Sequence, residues 1–457
     1  MGFETQPPPH EVDLLAIADQ VLDWATGDEA VEVVISHDRS TEVRSFNGDV
    51  ESFVSSETQG AGIRVVRGTR QGFAWAGSLD TAVLSETLAE ARDNVAFATE
   101  DPAVGLAVPD GVVPPALRLV DEALAGVDPE TKIALAIELE RLALSGDSRI
   151  VGIESAEYAD SISSIAVAST TGIRCSDAET SCSLVVYTLA GHDDETTTGF
   201  GFSVGRGLDE LDLEATATVA VERAVAMLGA RRTPSRRLRV VFDPWVTAQF
   251  LSVICEGFSG TEVVRGRSWL AERVGEQIAP SFVTLGDRPT DARWLGASAF
   301  DAEGLASRDT PLVVNGVVQG FVHDTYSARV LGTASTAAAV RAGYKSTPTA
   351  GVRAGVLDPG TASPTSLIAD VADGLYVSEV QGMHSGVNPV SGDFSTGVEG
   401  RVIRGGELAE PVREVTIAST LPRMLSEIIA VGDDLTAMPM DTAGVTLVID
   451  DVTVSGG

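Results

Sequence analysis

Imidazole is the commonest metal ligand and general base near neutral pH, so the histidines come first. They are His10, His37, His192, His323 and His384, and no two lie within five residues of each other. That spacing excludes H-E-x-x-H, in which two imidazoles one helical turn apart hold zinc. His192-Asp193-Asp194-Glu195 reads as a solvated hairpin tip, with weak binding of a hard cation as the alternative. Gly382-Met383-His384-Ser385-Gly386 sets a histidine beside a serine. Neighbouring side chains seldom form a nucleophile–base pair, so a turn is the simpler reading. His323-Asp324 heads a short helix, where aspartate caps. Gly343-Tyr344-Lys345-Ser346 lacks the glycine pattern of a phosphate loop. Gly199, Gly201 and Gly205 sit inside a strand rather than at a strand-to-helix turn, which points to close packing. There is no G-x-S-x-G elbow. Cys175, Cys182 and Cys255 have neither zinc-knuckle spacing nor the numbers for a disulfide framework. A metal site assembled from distant ligands stays open.

Any such site needs elements to hold it. Residues 12–25 carry apolar side chains at three- and four-residue steps, which predicts a helix. Strands are expected over 31–36, 41–46, 50–56, 61–66 and 72–76, with Asn47-Gly48 as a type I′ hairpin turn. Residues 81–98 form a helix that Asp80 can cap. A Pro- and Gly-rich crossing over 101–115 leads to a second helix over 128–144. A second run of strands follows over 150–159, 161–169, 181–190 and 196–204, then a helix over 211–228. Helix, strands, helix occurs twice, as a duplicated or continuous helix-backed sheet would require. Arg231-Arg232-Thr233-Pro234-Ser235 reads as a linker. Beyond it come a strand over 238–242, a helix from Asp243-Pro244 to Glu256, an Asn315-Gly316 hairpin, a helix over 421–429 and a final strand over 445–454. The fold class is α+β. An N-terminal antiparallel sheet region backed by long helices spans 1–235, with sub-regions of about 1–110 and 120–235. A β-rich C-terminal domain spans 236–457.

The net charge of −34 excludes whole classes of partner. Nucleic acid and anionic lipid are bound by Lys/Arg displacing counterions, and this chain has only two lysines, Lys132 and Lys345, and no basic run. Hydrophobic residues make up 44%, enough for substantial cores, so the acidity reads as a solubility device rather than disorder. Residues 1–10 lack the basic and apolar regions of a signal peptide, and no apolar run reaches membrane-spanning length. A cytoplasmic location is expected.

Several segments together resemble the TldD/PmbA family, the so-called modulators of gyrase. Phe46-Asn47-Gly48-Asp49-Val50-Glu51-Ser52, Gly60-Ala61-Gly62-Ile63-Arg64-Val65 and Arg70-Gln71-Gly72-Phe73-Ala74 carry the N-terminal likeness. Val240-Val241-Phe242-Asp243-Pro244, Gly266-Arg267-Ser268-Trp269-Leu270 and His323-Asp324-Thr325-Tyr326-Ser327-Ala328-Arg329 carry the middle. Gly382 through Pro389, Ser391-Gly392-Asp393-Phe394-Ser395 and Pro411 through Ile417 carry the end. The resemblance implies a choice between two branches. The TldD branch is similar to a zinc peptidase, with H-E-x-x-x-H on the helix after the Phe-Asp-Pro segment and a later cysteine ligand. Here those histidine, glutamate and histidine positions fall on Ser252, Val253 and Gly257, and residues 432–441 contain no cysteine. Serine is a poor zinc ligand, and valine and glycine offer no side-chain donor. The chain therefore resembles the TldE (PmbA) branch, implied to be the non-catalytic subunit of a TldD–TldE heterodimeric metallopeptidase.

That resemblance implies no catalytic residue and no metal in this chain, with zinc in the TldD-like partner. Unfolded or leader peptides would be the substrates. Met383, His384, Ser385, Asn388 and Asp393 become candidates for the cavity wall or partner interface. The competing reading is that Gly382, Gly386 and Gly392 set turns in which Asn388 and Asp393 bond their own backbone. Two other functions are carried alongside: an independent hydrolase using His384, and an interaction or regulatory protein acting on a protein partner. A homodimer in isolation is compatible with the first and second.

Overall fold

The structure is a computed structural model that describes residues 13–192 and 195–456; the side chains of His192, His384 and Ser385 lie outside that description. The chain opens with α1 (Leu14–Leu22), capped by Asp13, whose Oδ1 accepts the Ala16 N–H at 3.0 Å. The helix is shorter than the expected 12–25, and residue 12 lies outside the described residues. Next come β1 (Ala30–Phe46), β2 (Asp49–Arg67) and β3 (Arg70–Ala76), then α2 (Thr81–Phe97). Asn47 and Gly48 both have positive φ, 56° and 75°, as a type I′ turn demands. The four strands expected in 31–66 are two long ones. Nothing breaks them, since residues 37–43 pair with neighbours on both sides and so satisfy their backbone without apolar side chains. Asp80 precedes α2 but does not cap it; Ser78 Oγ bonds its carboxylate instead.

The second unit repeats this plan with α3 (Pro129–Ser145), β4 (Ile150–Ser169), β5 (Arg174–His192), β6 (Glu195–Gly205) and α4 (Leu213–Ala226). Here too the two strands expected in 150–169 are one. The two units join through β1 and β4 into a single antiparallel sheet of order β3-β2-β1-β4-β5-β6. All four helices cover one face. Val31, Val33, Ile35, Ala61 and Ile63 pack with α1 and α2, and Val43, Tyr158, Leu184 and Val186 with α3 and α4. Gly72, Gly199 and Gly201 allow the closest approach. A Cβ would lie 2.0 Å from the Ala91 carbonyl, 2.2 Å from the Ala224 nitrogen and 2.0 Å from the Thr216 carbonyl, respectively.

The C-terminal half begins with β7 (Arg236–Phe242), α5 (Pro244–Glu256) and α6 (Gly260–Val264). A small sheet follows, built from β8 (Leu285–Asp287), β9 (Thr310–Val314) and β10 (Val317–Val318), with α7 (Thr325–Leu331) and the short pair β11 (Ala339–Val340) and β12 (Thr349–Ala350). Then come β13 (Gly355–Leu357), which joins the small sheet, α8 (Pro364–Ala369), β14 (Asp373–Gln381), α9 (Met383–Gly386), β15 (Asp393–Arg404), β16 (Glu407–Thr420), α10 (Leu421–Ser426), β17 (Ile428–Val431) and β18 (Leu447–Ser455). The expected helix over 421–429 is cut short, because Ile428 pairs with Ile449 in a strand. The large sheet runs β16-β15-β14-β7-β18-β17 and closes on itself where β16 also pairs β18, making a barrel. Its interior holds the main core, into which α5 inserts Val246, Phe250, Leu251 and Ile254.

The uncovered face of the N-terminal sheet docks on this half through buried ions. Arg64 donates to Glu32 at 2.6 Å and lies 3.5 Å from Glu303, and Arg341 also binds Glu32. Arg206 donates to the carbonyls of Trp294 and Leu295 and to Glu179. Tyr344 lies over Gly60 and Gly62, where a Cβ would come within 2.3 Å and 2.2 Å of it.

Candidate functional site

α5 is the helix on which the resemblance would place a metal. Its start is fixed by the Phe242-Asp243-Pro244 segment: Pro244 is pre-set for the first turn, and Asp243 Oδ1 accepts the Trp245 N–H at 2.7 Å. The other Asp243 oxygen accepts from Arg223 at 3.0 Å and from the Tyr376 hydroxyl at 3.3 Å. Burial pushes the Asp243 pKa up while Arg223 opposes it. The aspartate therefore ties α4, α5 and β14 together.

The 3.6-residue period then decides which side chains face out. Trp245, Gln249, Ser252 and Val253 are half-buried, whereas Phe250, Leu251, Ile254 and Cys255 point into the barrel core. Ser252 and Val253 thus occupy the accessible side, with one hydroxyl between them. Gly257 closes the helix, its N–H bonding the Ile254 carbonyl at 3.1 Å. A Cβ at Gly257 would already stand 3.1 Å from both Leu270 Cδ1 and Trp269 Nε1, so a histidine there has to displace them. Cys255 does not compensate. Its thiol packs where Gly355 leaves room, and burial, with Asp287 and Asp441 nearby, drives its pKa far above the usual range. A zinc-binding cysteine must be a thiolate. Among the described residues no three His, Cys, Asp or Glu side chains converge as a metal site. The described side chains around α5 do not fit a zinc ion.

The glycine-rich stretch after β14 lies beside α5: Phe394, at the start of β15, meets Phe250 edge-to-face at 6.1 Å. Met383 is a core residue, 7% exposed. Asn388 Oδ1 accepts the Val390 and Ser391 N–H groups at 2.9 and 3.1 Å, and Asp393 accepts from Ser391 Oγ at 2.7 Å. Gly382 and Gly392 have positive φ, 74° and 76°, and a Cβ at Gly386 would sit 2.0 Å from the Ser395 carbonyl. Asn388 thus bonds the backbone of its own turn, whereas the Asp393 carboxylate bonds a neighbouring side chain. The same loop borders an open hollow of about 630 Å³ lined by Gly386, Asn388, Pro389, Asp393, Ser395 and Ser419, so two of the five candidates also face a concave surface. The backbones of His384 and Ser385 lie in α9; their side chains are outside the description.

The remaining candidates are structural. Asp324 accepts the Ser327 N–H at 2.8 Å and caps α7. His323 is buried, 3.3 Å from Ser327 Oγ, and burial lowers its pKa. Tyr326 bonds Asp101 at 2.8 Å and Arg329 bonds the Leu106 carbonyl at 2.9 Å, so the Tyr-Ser-Ala-Arg segment clamps the crossing between the two N-terminal units. Lys345 lies over Trp75 at 4.9 Å rather than in any phosphate loop. Asp193 and Asp194 of the acidic tip lie outside the described residues, while Glu195 accepts the Gly229 N–H and pairs with Arg413.

Sequence reasoning did not find the inter-unit cavity of about 400 Å³. Its floor is the uncovered sheet face (Asp38, Ile165, Asp177, Glu179), and its roof includes Phe300 and Arg341. Burial raises the pKa of Asp177 and Glu179, the latter against the pull of Arg206. No spacing could have revealed these residues, which come together only through strand register.

Family models match in chain order: PmbA/TldA metallopeptidase domain 1 over residues 31–95, the central domain over 122–228 and the C-terminal domain over 235–456. The chain is 27% identical over 431 residues to a metalloprotease PmbA homolog of Haemophilus influenzae, covering 93% of this chain and 92% of that protein. It is 26% identical over 421 residues to a metalloprotease TldD homolog of the same organism, covering 87% of each. TldE from Thermococcus kodakarensis shares the fold, with a TM-score of 0.88 at 22% identity over 97% of this chain and 99% of that one. A helix-backed double unit docked on a barrel, carrying all three domain matches in order, places this chain in the PmbA/TldD family.

Proposed function

We propose that this chain is the metal-free, TldE-like subunit of a two-subunit zinc metallopeptidase acting in the cytoplasm on unfolded or leader peptides. A TldD-like partner supplies the zinc and the general base. The observation that carries the reading is α5, whose accessible side offers Ser252 and Val253 and whose end is Gly257, with the Cys255 thiol turned into the core. Metal-assisted hydrolysis needs three protein ligands and an open position for water, and a carboxylate to take its proton. The likeness to relatives named for both branches supports a paired arrangement, and the concave loop at Asn388 and Asp393 gives such a partner a surface to meet.

The experiment is co-expression of this chain with a TldD-like protein from the same source. Co-purification at equal stoichiometry, with hydrolysis of an unfolded peptide only by the pair, is expected. Hydrolysis by the isolated chain would overturn the reading.

A further inference from the structure

The floor of the cavity between the two halves is built by strand register. On the uncovered sheet face Ser36, Ile165 and Asp177 stand in one row across β1, β4 and β5, and Asp38, Ser163 and Glu179 stand in the next. No register shift falls in this part of either strand pair, so the six side chains project from one face. All six line the cavity of about 400 Å³, with Leu295 and Phe300 in its roof. Ile165 is 36% exposed in the middle of this floor. The small Ser163 separates Asp38 from Glu179, whose backbones stand two strand spacings, about 10 Å, apart.

The carboxylates of this floor are not matched by free cations. Asp38 accepts no hydrogen bond and makes no ion pair among the described residues. Asp177 accepts the Ala178 and Ala299 N–H groups at 3.0 and 3.1 Å. Glu179 has Arg206 at 3.2 Å, but that guanidinium also donates to the carbonyls of Leu119, Thr180, Trp294 and Leu295. Burial raises the Glu179 pKa, Arg206 opposes the rise, and Asp177 and Asp38 add to it, so the three carboxylates repel one another. Both arginines of the roof are occupied. Arg341 holds Glu32 and the Ala302 and Ser346 carbonyls. Arg353 holds the Phe300 and Ala337 carbonyls and the Ser307 hydroxyl, and its remaining Nε is shut off from solvent. A separate observation also points to a ligand. Ser36 is only 9% exposed, yet its hydroxyl has no partner among the described residues and opens onto the cavity it lines. A hydroxyl buried that deeply normally finds a hydrogen bond.

We propose that this cavity binds an organic cation, a primary ammonium on an alkyl stem. The ammonium sits between Asp38 and Glu179 and the stem lies over Ile165 beneath Phe300. Ser36, two residues from Asp38 on the same strand, offers its hydroxyl oxygen as a further acceptor. An apolar hollow at a domain junction, with a few polar groups converging on it, is the usual form of a small-ligand site. A bare divalent ion does not suit it. Among the described residues no three carboxylates converge at coordinating distance, and a metal gains nothing from an exposed isoleucine. An anion is repelled. The same chemistry is carried by a free alkylamine and by the lysine side chain of a peptide. The inference stands apart from the proposed function, since it needs neither a catalytic partner nor hydrolysis.

The test uses the isolated full chain and pentylamine at pH 7, followed by saturation-transfer NMR. Saturable binding with a Kd of about 5 mM or tighter is expected. Pentanol, the same stem without the charge, should bind at least about tenfold more weakly. D38N/E179Q removes the charge while keeping the shape and should erase most of that preference. I165S should weaken both ligands about equally, by about threefold. The pentanol comparison uses the native protein, so it holds whatever the variants do. A capped Gly-Lys-Gly peptide that displaces pentylamine assigns the stem to a lysine side chain, and one that leaves it in place assigns it to a free amine. No saturable binding at about 20 mM, pentanol equal to pentylamine, or an unchanged preference in folded D38N/E179Q would each overturn the proposal. Displacement of the amine by micromolar calcium would overturn it too, making the cavity a metal site.

Discussion

Replacing Glu303 by Gln tests how the two halves are joined. Glu303 is 1% exposed, lies 3.5 Å from Arg64 and accepts the Thr325 N–H at 2.8 Å. Burial raises its pKa from 4.5 to about 7, with Arg64 opposing and Asp301 and Glu32 adding to the rise. The folded value lies above the unfolded one, so the folded chain holds this proton more tightly. The stabilisation is complete below about pH 4.5 and is lost as pH rises through 7. A gap of about 2.5 pH units at 1.36 kcal/mol each amounts to about 3 kcal/mol. Glutamine cannot ionise and is spared that loss. Urea unfolding of both proteins at several pH values between 4.5 and 8 gives the difference, in which titrating groups remote from Glu303 cancel. Relative to wild type, E303Q should gain about 3 kcal/mol across the range, most of it between pH 5 and 7. Parallel profiles, or a relative loss for E303Q toward high pH, would refute the reasoning, since either means that Glu303 is ionised in the folded protein and held by Arg64.

Other expectations follow from the same contacts. Arg64→Met strands Glu32 and Glu303 beside the single cation Arg341 and should cost about 3–5 kcal/mol in urea unfolding. Gly62→Val drives a side chain into the Tyr344 carbonyl, 2.2 Å from the first added atom; it should lower stability by about 1–3 kcal/mol and speed proteolysis of the 341–347 segment. Restoring the motif with Ser252→His, Val253→Glu and Gly257→His should yield less than one zinc per chain by mass spectrometry and no peptidase activity. The second histidine position, Gly257, leaves an added Cβ only 3.1 Å from Leu270 and Trp269, which crowds an imidazole there, and no cysteine thiolate completes the set.

Local rules made much of the fold legible. Asn47-Gly48 announced its hairpin through the positive φ both residues need, and Asp243-Pro244 announced α5 by capping chemistry. The repeated helix–strands–helix pattern anticipated the double unit, although not its joining through β1 and β4. Strand ends were legible only in part: polar residues 37–42 look like a break, yet pairing on both sides carries β1 through them. The barrel closure between β16 and β18 rests on contacts far apart in sequence and left no local mark. At the site, Ser252, Val253 and Gly257 could be read directly, because a side chain that lacks a donor lacks it in any conformation. Glu32, Arg64, Glu303 and Arg341 could not, since their meaning comes from the burial of charges contributed by two halves of the chain.

The central claim is that this chain lacks a metal centre of its own. The most direct test is metal analysis of the isolated chain after incubation with zinc and removal of the excess, alongside the TldD-like partner treated identically. The account predicts no stoichiometric zinc on this chain and about one per chain on the partner. One tightly held zinc on the isolated chain, removed by chelator together with peptidase activity, would contradict it.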